Sequence, residues 1–233
     1  MPAVDVDQRS FVDHRRALWY AVAFIAATVA VFVVVGIRPS RPPIQPLDTM
    51  IYHGVDDIRN APLTLLAKVL NILGAGLVTI PLRIVVSIYL ALKRRWTRLG
   101  GWLLTWVLAE VTLTVSKAAF NRPRPPNPLV ATTGASFPSG HAVATSAIAV
   151  GLVLALMAPG PRRRKWEIIA AVFAFVMALS RVYLNAHWFS DVVAGTLLGT
   201  GIAIASFAIA AEGRDVILRR RARRRGATEP APP

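Results

Sequence analysis

Residues 138–158 read PSGHAVATSAIAVGLVLALMA, a polar tetrad followed at once by an apolar run of 17 residues. A run of that length can cross a hydrocarbon core of about 30 Å. Its head is unusual for a membrane segment, because Pro138, Ser139, Gly140 and His141 put hydrogen-bonding and titratable groups at the helix start. Ser139 has the chemistry of an N-cap, and Gly140 lets backbone approach a ligand closely. A helix start also offers free N–H groups and the positive end of the helix dipole, which favour an anion. Capping alone explains Ser139 but leaves His141 without a reason to be there.

Outward from this stretch, the pattern repeats. The chain has 233 residues, 55% of them hydrophobic, and a mean hydropathy of +0.51, too apolar for a domain with a fully solvated surface. Apolar runs fall at about 17–36, 77–92, 99–119, 140–158, 166–183 and 189–211. The predicted fold is therefore all-α, a polytopic membrane protein with six transmembrane helices. Residues 17–213 form the membrane domain, 1–16 a short N-terminal segment, and 214–233 a basic, disordered tail. Residues 38–46 read as loop, and 62–76 as an interfacial helix or an extension of the next span. The run from Ala17 to Val35 exceeds the roughly 7–15 residues of a signal-peptide core, so it reads as a retained first span.

The absence of cysteine excludes disulfides and thiolate chemistry. The net charge of +15 does not point to nucleic acid, because the basic residues cluster between apolar runs and in the tail rather than on one face. Lys93, Arg94, Arg95 and Arg98 follow the second run, Arg162, Arg163, Arg164 and Lys165 follow the fourth, and Arg219 to Arg225 follow the sixth. With six spans these groups share one side, which the positive-inside rule makes cytoplasmic. Both termini then lie in the cytoplasm of a multi-pass plasma-membrane protein. Arg38, Arg41 and Arg59 are exceptions on the other side.

Two further polar clusters fall on that extracytoplasmic side together with His141. In the first, Lys117 ends the third span and Arg124 follows in a Pro-rich loop. Arg offers a planar fork for two phosphate oxygens and Lys a point charge; alternatively, both are interfacial cations with buried stems. Arg122 and Arg124 are near-equivalent by composition. In the second, Ser180-Arg181 precedes His187 and Asp191, which are four apart and share a helical face. A carboxylate there can hold one imidazole nitrogen and leave the other free as a nucleophile, or the pair can be a structural hydrogen bond. A His/His/Asp metal site is disfavoured by the surrounding cations.

Taken with their spacings, the clusters are K-x6-RP, PSGH and SR-x5-H-x3-D, in that order. This pattern closely resembles the type 2 phosphatidic acid phosphatase superfamily, with Lys117, Arg124, Pro125, Pro138, Ser139, Gly140, His141, Ser180, Arg181, His187 and Asp191 at the matching positions. The resemblance implies a phosphatase core built by the last four spans and a metal-independent, cofactor-free lipid phosphatase. It implies His187 as the nucleophile that becomes a phosphohistidine, Asp191 as its orienting carboxylate and His141 as the acid. Lys117, Arg124, Ser139, Gly140 and Arg181 would bind phosphate, with Pro125, Pro138 and Ser180 supporting them. The implied partner is a membrane lipid phosphate, either a polyprenyl (undecaprenyl-type) diphosphate or a phosphatidate or phosphatidylglycerol phosphate. A phosphotransferase using the same intermediate and a non-enzymatic lipid-phosphate binding or transport protein are the alternatives.

One pair lies outside the motifs. Glu110 sits seven residues before Lys117, about 10 Å further into the membrane by helical rise. Arg83 lies at a similar depth in the second span. Intramembrane charges are costly and generally have work to do, so the two are expected either to form an ion pair beneath the site or to face a water-filled cavity separately.

Overall fold

The computed structural model describes residues 14–226. Most of the N-terminal segment and the end of the basic tail, residues 1–13 and 227–233, lie outside the described residues. The elements are α1 (His14–Gly36), α2 (Gln45–Asp57), α3 (Ala61–Leu73), α4 (Gly76–Leu92), α5 (Trp96–Phe120), α6 (Gly140–Leu156), α7 (Pro161–Tyr183) and α8 (Phe189–Gly226). All elements among the described residues are helical, and the chain is a multi-pass membrane protein.

Four helical stretches are individually long and apolar enough to cross a membrane: Arg16–Gly36, Trp96–Phe120, Pro161–Tyr183 and Phe189–Arg220. The α3–α4 pair makes a fifth if it is one span, bent by 46° where Gly74 and Ala75 interrupt the helix. α6, with 17 residues, is only about 26 Å long by helical rise. Length and composition thus support four to five spans rather than the six expected from the sequence. α6 falls short by length alone; it runs through the bundle, with Val143, Ala147, Ile148, Gly151, Leu154 and Ala155 among its many buried positions.

α8 packs most extensively against α6, α1 and α5, and α7 covers another side of α6. The bundle therefore contains α1 in addition to the last four helices. Small residues bring α6 and α8 into backbone contact: a Cβ added at Gly199 would fall on the Val143 carbonyl and the Ser146 hydroxyl. Close approach of this kind is how helices associate where lipid supplies no hydrophobic drive.

α2 begins at the end of the stretch that reads as loop in the sequence: Pro46 occupies its first turn, where the missing N–H has no helical partner to lose. α3 is a separate apolar helix, capped by Asn60, whose side chain accepts from the Leu63 N–H at 2.9 Å. α8 also continues as helix past residue 213, where the tail was expected to become disordered, as far as Gly226; Arg and Ala are good helix formers, which accounts for the continuation.

Candidate active site

Lys117 lies near the C-terminal end of α5, His141 at the start of α6, Arg181 near the end of α7 and Asp191 at the start of α8. Antiparallel neighbours therefore bring all four to one end of the bundle. A ring cluster closes that end: Phe137, just before α6, packs against Phe32 of α1 and Phe120 of α5, both with centroids at 4.8 Å. This holds the 121–139 loop down between the helix ends. Ser139 caps α6, accepting from the Ala142 N–H at 3.4 Å, and its own N–H donates to the Asp191 carbonyl at 3.1 Å. The PSGH segment is thereby tied to the first turn of α8.

His187 sits in the α7–α8 turn, 4% exposed, with its two ring nitrogens in different surroundings. Nε2 lies 3.2 Å from Arg124 Nη1. A guanidinium has only hydrogens to offer, so Nε2 is the acceptor and carries the lone pair. Nδ1 then carries the proton, and it lies 3.6 Å from Asp191 Oδ2, just beyond hydrogen-bond reach. Burial pushes the His187 pKa down to about 4, against the opposing pull of Asp191, so the ring is neutral near pH 7. A neutral ring with its lone pair toward a cation has the protonation state a nitrogen nucleophile needs.

The cations facing this nitrogen are held by neutral oxygens. Arg124 donates to the carbonyls of Ala186 at 2.7 Å, Thr133 at 2.7 Å and Gly134 at 3.0 Å. Burial lowers its pKa, with Asp191 pulling the other way. Lys117 donates to the Ala135 carbonyl at 2.7 Å. Arg181 Nη1 donates to the side-chain oxygen of Asn71. His141 Nε2 lies 3.1 Å from the Asn71 carbonyl, which fixes a proton on that nitrogen because a carbonyl can only accept.

Behind His187 is a buried network that sequence reasoning missed. Arg122, 1% exposed, donates to Asp191 Oδ1 at 2.6 Å, to Asp48 Oδ2 at 2.7 Å, to Gln45 Oε1 at 2.8 Å and to the Ser190 hydroxyl at 2.7 Å. Asp48 accepts in addition from the Ser190 N–H at 2.8 Å and hydroxyl at 2.6 Å. Asp191 Oδ2 accepts from the Trp188 N–H at 3.0 Å and from the Ser136 hydroxyl. The Asp191 carboxylate is thus held by several donors, and α2 is attached to it through Arg122, which Asp48 and Gln45 share. A polar Asp48-Thr49 in a segment otherwise full of Pro was the available signal, but nothing local paired it with Arg122.

Arg83 donates to Glu110 at 2.7 Å, and its guanidinium lies 5.3 Å from the Trp106 ring centroid. The two halves of this pair differ: Arg83 is 4% exposed, whereas Glu110 is 51% exposed on the outer surface of α5. The pair is therefore half-buried rather than sealed beneath the site. Among the described residues no cluster of three or more His, Asp or Glu side chains is arranged to hold a metal ion.

Fold and site together define a helical membrane protein with a cationic, histidine-bearing cluster at one end of its bundle. The chain belongs to the PAP2 superfamily, whose sequence pattern matches residues 98–214. It is similar to an undecaprenyl-diphosphatase of Sulfolobus acidocaldarius, 35% identical over 55% of this chain and 63% of that protein, somewhat under two thirds of the relative's length. It is also similar to phosphatidylglycerophosphatase B of Bacillus subtilis, 32% identical over 67% of this chain and 79% of that protein. The crystal structure of a transmembrane PAP2-type phosphatidylglycerolphosphate phosphatase from Bacillus subtilis superposes with a TM-score of 0.66 at 26% identity, covering 84% of this chain and 96% of that one. The chain is thus a membrane-embedded member of a phosphatase family.

Proposed function

We propose that this chain hydrolyses a membrane lipid phosphate or diphosphate through a covalent phosphohistidine on His187. The observation that carries this reading is the division of the His187 ring, with its lone pair at Nε2 toward Arg124 and its proton at Nδ1 toward Asp191. Nε2 attacks phosphorus as the bond from phosphorus to the leaving oxygen breaks. His141 gives that oxygen its proton. Water then attacks phosphorus with His141 as base, the P–N bond breaks, and phosphate leaves. Lys117, Arg124 and Arg181 neutralise the phosphoryl oxygens in the transition state, with Ser139 and the Gly140 N–H at the start of α6. Pro125, Pro138 and Ser180 shape the turns that present these groups. Arg124 occupies the nucleophile's lone pair until a phosphoryl group enters and draws the guanidinium onto its oxygens.

A lipid substrate is supported by the relatives' names and by an open apolar cavity of about 330 Å³ between α2, α3 and α7, lined by Ile51, Leu66, Leu70, Leu179 and Phe189. Its wall includes Ser180, the residue before Arg181, so a chain lying there has its head beside the cations. A slightly larger cavity, about 360 Å³, is lined by Arg16, Arg163 and Glu167 and contains none of the phosphate-handling residues. The substrate is either a polyprenyl diphosphate or a phosphatidate-type lipid. The site faces the extracytoplasmic leaflet and the termini lie in the cytoplasm. Supporting this, Arg98 at the start of α5 donates to the Ala155 carbonyl near the end of α6 at 3.0 Å, which gathers the basic loops at the end away from His187.

The test is phosphate release by the purified chain from a panel of these lipids, with trapping of a phosphorylated protein from labelled substrate by quenching in alkaline denaturant. A label that survives base and is lost in acid, and that disappears in His187→Ala, is expected. Turnover by His187→Ala equal to that of the wild type would remove the nucleophile from this scheme.

A further inference from the structure

The break between α3 and α4 lies outside the residues that match the family pattern, yet it touches the site twice. Asn71, in the last turn of α3, accepts from Arg181 Nη1 through its side-chain oxygen and holds the His141 Nε2 proton through its main-chain carbonyl at 3.1 Å. The carbonyl is available because the helix stops two residues later, so the last turn has no further N–H groups to take its acceptors. Gly74, at the bend, lies directly against the ring: an added Cβ would come within 2.7 Å of His141 Cδ2 and 3.1 Å of Met177 Cε. Arg181 is 2% exposed and its Nε has no hydrogen-bond partner among the described residues. Asn71 therefore grips one edge of the guanidinium with a neutral acceptor, leaving its charge intact and other donors unspent.

We propose that Asn71 is a positioning residue, which sets Arg181 for phosphoryl binding and His141 for proton delivery from the bent junction of α3 and α4. The proposal rests on the phosphatase reading above for what the two groups do, but not for the contacts themselves. An acceptor that carries a negative charge would pin Arg181 equally well and cancel the attraction for phosphate; an amide pins it without that cost. The main-chain contact holds the Nε2 proton of His141, so Nδ1 is the nitrogen that gives and takes the transferred proton, and the glycine at the bend is what allows the ring to lie there.

Binding of orthovanadate, a mimic of the five-coordinate phosphoryl group, tests the side-chain contact whether or not a lipid is turned over. Measured by calorimetry on the purified full chain, Asn71→Leu should bind vanadate roughly tenfold more weakly than wild type, the scale of a lost hydrogen bond to a charged group. In an Arg181→Ala background the same substitution should cost nothing further, since Asn71 acts through Arg181. Should Asn71→Leu fail to fold, Asn71→Ser, too short to reach Arg181, carries the same expectation. Gly74→Ala is expected to lower kcat about tenfold with vanadate affinity unchanged, because it displaces the proton donor and not the cation. Wild-type vanadate affinity in the Asn71 variants, or an equal loss with and without Arg181, would overturn the proposal. Absence of phosphate release by the wild type would instead overturn the phosphatase reading and leave the vanadate result to decide this one.

Discussion

Arg122 and Arg124 are two residues apart in one loop and do opposite things. Arg122 points inward, away from solvent, and is neutralised by two carboxylates, Asp48 and Asp191. Arg124 points toward His187 and is held by carbonyl oxygens, as Lys117 is, while Arg181 is held by an amide oxygen. The same side chain thus serves as scaffold where its partners are anions and as a ligand cradle where its partners are neutral. A cation fixed by dipoles keeps its whole charge for an incoming phosphate; a cation fixed by carboxylates has already given it away. That distinction separates the two layers of this site better than burial does, because Arg181 is as buried as Arg122.

In the proposed mechanism His187 stands between the two layers as the nucleophile. His187→Ala should reduce phosphate release by a thousandfold or more, on the order seen when a nucleophile is removed from a cooperating set. Arg122→Ala strikes the scaffold, leaving two buried carboxylates without their cation, and should cost about 3–5 kcal/mol of stability, read as a fall in the unfolding midpoint in detergent. Arg124→Ala strikes the cradle and should lower kcat/KM roughly a hundredfold while the unfolding midpoint stays close to that of the wild type. If Arg124→Ala melted early and Arg122→Ala stayed stable but inactive, the two layers would have been assigned the wrong way round.

Two smaller effects refine the picture. Below pH 6.5 an unfolded chain protonates His187, whereas the folded ring, with its pKa near 4, does not. The unfolded state therefore binds more protons in that window, and the fold should lose stability as pH falls from 6.5 toward 4. His187→Gln should show a shallower decline in thermal midpoint over the same range; an identical slope would mean that the ring is not held neutral. The smallest effect is expected from Glu110→Gln, about 1 kcal/mol, because the amide oxygen can still accept from Arg83 and only the charge of the bond is lost. A fall in the unfolding midpoint as large as that of Arg122→Ala would show that the charge of Glu110, and not only its acceptor, is needed in the middle of α5.

The parts of the site that were legible beforehand are those whose spacing is local. His187 and Asp191 share a helical face by period alone, and Ser139 announces a helix start. The preference for Arg124 over Arg122 came from motif spacing, and the structure places Arg124 against the histidine. What escaped notice is long-range. Asp48 meets Arg122 across 74 residues, and Asn71 meets Arg181 across 110. No periodicity in a single sequence links such positions. The fold shows the same divide, since apolar runs located the bundle helices within a few residues. They gave six spans where helix length and composition support four to five, because α6 is short, and they hid α2 because its proline sits where a helix begins.

Asp48 has a practical consequence for dissecting the chain. The segment that carries every motif residue, 98–214, looks like a unit that could be excised and studied alone. Cutting there would remove α2 and with it one of the two counter-charges of Arg122, and would remove Asn71 from Arg181. The excised piece would leave Arg122 Nη2 without either of its acceptors, Gln45 and Asp48, behind His187, and a loosened arginine in front of it. The motif-bearing region is thus not a self-sufficient module, and substitutions in the first 75 residues should be as capable of silencing the protein as substitutions in the motifs themselves.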